Sequence, residues 1–160
     1  MISDALKEML IAQVGHELAA SHHYLASAVY FAGQDLEGWA DAFYAQSAEE
    51  RDHALKIVKF LVDLDISFTV PAVGAASSEF ASPAAVIEAA LASERKVTAQ
   101  FQAMAVKCME VGDFTAFEFI QWFIREQVEE EQLMRRYLAM ANSGADMFLL
   151  QSQLGDSGHH

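Results

Sequence analysis

Four glutamates, Glu17, Glu50, Glu94 and Glu130, each fall near the middle of a long apolar segment with helical periodicity. No other feature constrains the fold as strongly. His53 follows Glu50 at i+3, and Gln127 precedes Glu130 at i−3. Residues three apart share a helix face. An ionised carboxylate inside an apolar bundle is strongly destabilising unless something compensates it. Four at one level of a core therefore call for cations, and a two-metal site inside a four-helix bundle satisfies them all.

Helix formers (Ala, Leu, Glu, Gln, Met) dominate the chain, and its two prolines, Pro71 and Pro83, lie in one region. The pattern predicts a first helix from about Asp4 to Ala32, ended by Gly33. Asp35 is expected to cap a second, running to about Leu64. Residues 65–82, with Pro71, Gly74 and a Ser/Ala-rich stretch, form the one long connection. Ser82 and Pro83 then read as N-cap and first helical residue of a third helix. That helix extends to about Val111, with Gly112 at its C-terminal turn. Asp113 is expected to cap a fourth, running to about Asn142. Gly144 breaks the pattern before a short fifth helix, about Ala145 to Leu154.

The four main helices come out at about 29 residues and about 43 Å each. Short turns make the first pair and the second pair antiparallel. The long link can run the length of the bundle, which predicts an all-α, up-down-down-up four-helix bundle with one crossover. Each carboxylate interrupts an uncharged stripe. On the second helix the stripe is Phe43, Glu50, Ala54, Ile57, Leu61 and Leu64, and on the fourth it is Phe119, Phe123, Gln127, Glu130, Met134 and Tyr137. Leu10, Val14, Glu17 and Tyr24 align on the first, and Ile87, Leu91, Glu94, Thr98, Phe101 and Ala105 on the third.

At 160 residues the chain suits one domain, read as residues 1–154 with a polar, flexible tail over 155–160. A net charge of −13 argues against nucleic acid and anionic membranes as partners and favours cations. Cys108, the only cysteine, excludes an intrachain disulfide or a thiolate cluster. Residues 1–10 read as amphipathic helix rather than signal peptide. No apolar run reaches the roughly 18 residues of a membrane span. A cytoplasmic protein is the expectation.

Carboxylate oxygen with a little imidazole suits iron, manganese or zinc. Glu17 and His53 can terminate one metal, Glu50 can bridge, and Glu94 and Glu130 can hold the second. Gln127 can orient a ligand or a water. A lone Glu-x-x-His is common by chance, so the weight rests on four mid-helix glutamates together.

Glu17, Tyr24, Glu49-Glu50-x-x-His53, Glu94 and Glu126-Gln127-x-Glu129-Glu130 resemble the bacterial non-haem ferritins over about residues 4–154. The resemblance implies a ferroxidase centre, with one iron at Glu17, Glu50 and His53 and the other at Glu50, Glu94 and Glu130. It also implies a third iron site at Glu49, Glu126 and Glu129, with Glu130 shared. A homo-oligomeric shell of 24 subunits storing ferric mineral is implied, with O2 or H2O2 as oxidant. Tyr24 becomes a neighbour of the centre, hydrogen-bonded to a ligand such as Glu94 and able to supply an electron. Trp122 can serve similarly, though packing is the simpler role.

A bacterioferritin would carry a second Glu-x-x-His where this chain has Gln127-x-x-Glu130. It would also have a haem-ligating methionine where Asp52 stands, so no haem is expected. A single cysteine excludes the cysteine-rich iron domain of rubrerythrins. His16, His22 and His23 differ in phase from Glu17 and read as exposed. Two alternatives remain: a soluble di-iron or di-manganese oxidase of an organic substrate, which needs an apolar pocket beside the metals, and a bundle whose metal is purely structural.

Overall fold

The computed structural model describes residues 2–155, which contain five α-helices. They are α1 (Asp4–Gly33), α2 (Glu37–Asp63), α3 (Pro83–Val111), α4 (Phe114–Ala141) and α5 (Met147–Leu150), the last followed by a 3₁₀ turn, Gln151–Gln153. Of the expected tail, all but Gly155 lies outside the described residues.

Side-chain caps open three of the long helices. Ser3 accepts from the Leu6 amide, Ser82 from Ala85 and Asp113 from Ala116, each occupying one of the orphan donors of a first turn. Asp35 is a correction. It does not cap α2, whose N-cap is Leu36 and has no side-chain hydrogen bond. Instead Asp35 adopts φ +58 and closes α1. Its amide donates to Ala32 O (3.1 Å) and that of Leu36 to Phe31 O (3.0 Å), the paired bonds of a Schellman closure. Asp65 (φ 58) closes α2 in the same way, through Ile66 N to Leu61 O at 3.0 Å. Gly112 (φ 70) does so for α3, through Asp113 N to Cys108 O at 2.9 Å. Asp tolerates the left-handed region better than most residues with a Cβ, so it ends helices here as glycine does.

The crossover, residues 65–82, traverses α1 lengthwise. Pro71 packs on Gly15, where an added Cβ would lie 2.9 Å from the proline ring. Phe80 meets Tyr30 edge-on with centroids 5.5 Å apart. Fifteen helical residues separate those contacts, about 22 Å at 1.5 Å per residue. Contacts of Gln13 with Gln100 and of Tyr24 with Glu94 set α1 antiparallel to α3. The bundle is therefore up-down-down-up. At one level α1 and α2 are tied by reciprocal bonds, Ser21 Oγ to Ser47 O (2.7 Å) and Ser47 Oγ to Ser21 O (2.8 Å).

The fifth helix is shorter than expected. Asp146 caps it through the Phe148 amide at 2.8 Å, so it cannot begin at Ala145, and it gives way to 3₁₀ geometry after Leu150. Leu64, placed in the core stripe by periodicity, is exposed because it is the C-cap of α2.

The apolar core is in two parts. One is built around Phe31, Trp39, Phe43, Ile87 and Tyr137, the other around Leu10, Ile57, Leu61, Phe101 and Phe123. Buried glutamates from all four long helices lie in the gap between them.

Candidate metal centre

Each long helix carries one carboxylate into that gap. Glu17, Glu50, Glu94 and Glu130 are all at most 1% exposed, and His53 and Gln127 are buried beside them. Oxygen and nitrogen atoms of Glu17, Glu50 and His53 lie within 4.8 Å of one another, as do those of Glu50, Glu94 and Glu130. The two triads share Glu50. His53 Nδ1 stands 3.3 Å from Glu50 Oε2 and 3.9 Å from Glu17 Oε2.

Hydrogen bonds divide these carboxylates into held and unheld. Glu17 Oε1 accepts from Gln13 Nε2 at 3.2 Å, and Gln13 is itself braced by Gln100 (3.1 Å) and His16 (3.2 Å). Glu94 accepts from Tyr24 Oη at 2.7 Å on Oε1 and from Gln127 Nε2 at 3.0 Å on Oε2. By contrast, both oxygens of Glu50, Glu17 Oε2 and His53 Nδ1 are buried with no hydrogen-bond partner outside their own cluster. Buried polar atoms are almost always bonded. Four orphans converging on one point, all of them oxygen or imidazole nitrogen, make a donor set that fits divalent metal ions of the iron type.

The electrostatics agree. Burial, then the charges of Glu94 and Glu17, push the Glu50 carboxyl well above the ordinary range. Burial and the charges of Glu94 and Glu49 do the same to Glu130. Glu17 is raised by burial, partly offset by contacts with Glu50, His53 and Gln13. Without cations the cluster holds its protons more tightly than free carboxyls do, because like charges in a dry site resist ionising together. The Tyr24 hydroxyl is pushed well above its usual value by burial and by Glu94, so it stays a donor.

A third triad joins His53, Glu126 and Glu130, with His53 Nε2 3.9 Å from Glu126 Oε1. Glu49 is half-buried and acts electrostatically on Glu130, while Glu129 is exposed and belongs to none of the triads. Two members of the third site expected from the sequence, Glu126 and the shared Glu130, meet in this triad, and His53 joins them. His16, His22 and His23 are exposed. Trp122 presents its ring edge-to-face to His53, centroids 5.6 Å apart, under the Lys56 ammonium at 3.5 Å.

Sequence reasoning missed three features. Gln13 precedes Glu17 by one helical turn, a spacing at which side chains meet, and that signal was available. Thr98 and Glu131 make a 2.6 Å hydrogen bond between α3 and α4, which no local spacing announces. Tyr137 was assigned to the core stripe, but its buried hydroxyl has no hydrogen-bond partner. Burial raises its pKa, and Glu49 and Glu130 are among the charges that add to the shift.

The family model described as ferritin-like domain matches residues 7–142. A ferritin BfrB of Mycobacterium tuberculosis is 38% identical over 141 residues, 88% of this chain and 78% of that protein. A bacterial non-heme ferritin of Staphylococcus aureus is 32% identical over 159 residues, 97% of this chain and 96% of that protein. Among solved structures, an open pore ferritin from the archaeon Archaeoglobus fulgidus has a TM-score of 0.92 at 30% identity, covering 96% of this chain and 98% of the other.

Proposed function

The chain belongs to the ferritin family, and from that premise we propose that it oxidises Fe(II) at the Glu17/Glu50/His53/Glu94/Glu130 centre and stores the product as ferric mineral. The observation that carries this reading is the pair of buried triads sharing Glu50. Glu17 and His53 hold one iron, Glu94 and Glu130 hold the other, and Glu50 bridges. Two Fe(II) each give one electron. O2 takes both with two protons and leaves as H2O2, or H2O2 takes both with two protons and leaves as two waters. Unheld oxygens suit Glu50 to this task, since it can move between bridging and terminal positions as charge on the irons rises. Held ones suit Glu17 and Glu94 to fix each iron in place. Tyr24, through its hydrogen bond to Glu94, keeps that ligand oriented as the irons change charge.

Ferric product then passes the Glu49/Glu126/Glu129 region, next to the His53/Glu126/Glu130 triad, toward the inside of a shell. We take the shell to be a homo-oligomer, of 24 subunits as the family resemblance implies, and cytoplasmic, with residues 1–154 as the di-iron domain and 155–160 as a tail. Exposed apolar side chains such as Val29, Val70 and Leu149 support an assembled state, and no helix among the described residues is long and apolar enough to cross a membrane.

An oxidase of an organic substrate needs a pocket at the metals. A cavity of about 540 Å³ lies between α1, α3 and the crossover, but its lining includes Tyr24 and none of the five ligand residues.

The test is anaerobic loading of the apo-protein with excess Fe(II), followed by air, with absorbance and particle size recorded together. Rapid oxidation of about two irons per subunit, then continued uptake into a large soluble particle, is expected. Oxidation that stops at the site, in a small oligomer, would sink the storage reading.

A further inference from the structure

We propose that Thr98 and Glu131 are positioning residues for the second metal ion, fixing the direction of the Gln127 amide and through it holding Glu94 as a terminal ligand. The inference rests on the two-metal reading above.

A single proton decides the direction of the network. Thr98 Oγ1 lies 2.6 Å from Glu131 Oε2 and 3.0 Å from the main-chain oxygen of Glu94. A hydroxyl has one proton to donate. The 2.6 Å contact has the length of a charge-assisted O–H···O⁻ bond, about twice as strong as a neutral one, so the proton goes to Glu131. Toward Gln127 the Thr98 oxygen can then only accept. Gln127 Nε2, 3.2 Å away, donates to it, and also reaches Glu94 Oε2 at 3.0 Å and Glu94 O at 3.1 Å.

Turning the amide over would set its oxygen against Glu94 Oε2 and against a hydroxyl whose proton is already committed. Three acceptors would face one another in a buried site with no proton between them, so that orientation is excluded. Glu94 therefore meets a fixed donor on Oε2 as well as the Tyr24 hydroxyl on Oε1, and neither oxygen is left to swing. Glu131 is oriented in turn by Arg95 Nε and Arg135 Nη1, each 3.9 Å from its Oε1. Glu17, a ligand of the first metal, is held without such a charged end to its chain among the described residues. The chain from Glu17 through Gln13 ends on Gln100 and His16, with no carboxylate.

The experiment titrates the full-length protein with Co(II), followed by its d–d absorption and by calorimetry. Metal affinity typically falls about ten- to a hundredfold when a residue that orients a ligand is removed. In Thr98→Val one of two Co(II) ions is expected to weaken by that factor while the other binds as in the wild type. Thr98→Ser is expected to restore it, and Glu131→Gln to weaken the same ion. Wild-type affinity for both ions in Thr98→Val, or equal weakening of both that Thr98→Ser does not repair, would overturn the inference. A wild-type protein that takes up fewer than two Co(II) would overturn the two-metal reading itself, and this one with it.

Discussion

The phenol of Tyr24 donates a 2.7 Å hydrogen bond to Glu94, tying α1 to α3 at the level of the buried carboxylates. Burial and Glu94 keep the hydroxyl protonated at any pH the protein would meet. Hydrogen bonds to charged groups contribute about 1.5–3 kcal/mol. Tyr24→Phe is therefore expected to slow Fe(II) oxidation by about one to two orders of magnitude while still binding two metals, because Gln127 continues to hold Glu94. Stopped-flow oxidation beside anaerobic Fe(II) calorimetry checks this; loss of the second metal would mean that Tyr24 is needed for binding itself.

The five ligands are expected to separate by metal. Glu17→Ala weakens the first iron, Glu130→Ala the second, and Glu50→Ala impairs both because the triads share that residue. Anaerobic Fe(II) calorimetry on the three variants distinguishes them. Undiminished rapid oxidation in Glu50→Ala would falsify the dinuclear centre.

Stability should depend on pH and metal together. Glu50 and Glu130 have raised pKa values in the fold, whereas in the unfolded chain they ionise near the ordinary value of about 4.3. Above that pH the chelated native state holds protons that the unfolded state releases, so stability falls as pH rises. Urea unfolding in chelator is expected to show a less stable protein at pH 8 than at pH 5.5. Divalent metal should reverse the trend, since it binds the ionised carboxylates. Greater stability at pH 8 in chelator would contradict the assignment.

Gln151 supplies the cap that α2 lacks. Its Oε1 accepts from the Gly38 amide at 2.6 Å and from Trp39 at 3.3 Å, while Trp39 Nε1 donates to Met147 O at 3.0 Å. Losing a helix cap costs about 0.5–2 kcal/mol, so Gln151→Ala should lower the melting temperature by several degrees without changing metal binding. Gly38→Ala should cost less, because the added Cβ, 2.9 Å from Gln151 Oε1, displaces the capping amide while Ala gains about 1 kcal/mol over Gly in a helix. Thermal unfolding at fixed protein concentration, with Co(II) titration as the control, measures both.

Much of the fold could be read in advance because its determinants are local. Periodicity, the Ser82-Pro83 start and the Gly112 stop each act within a turn of helix. Asp35 misled because an Asp between two helices can open the second or close the first, and only the backbone angle distinguishes them. The four buried glutamates were legible as charges breaking apolar stripes. What supports them was less so. Gln13 had a spacing signal, but the Thr98–Glu131 bond joins residues 33 apart on different helices. The Gln151 cap links residues 113 apart, a partnership that only the folded chain creates.

The division of the core into two apolar halves has a consequence for how this chain comes to be folded at all. Sequences that specify one structure usually show agreement at every level, and a seam of buried like charges is a point of frustration. If iron is the cargo, as proposed above, it is the cargo and not the chain alone that resolves the conflict. The depth of the native basin would then be a variable set by metal supply, and a newly made subunit in an iron-poor cell would be softest across its middle, where the helices are otherwise most regular.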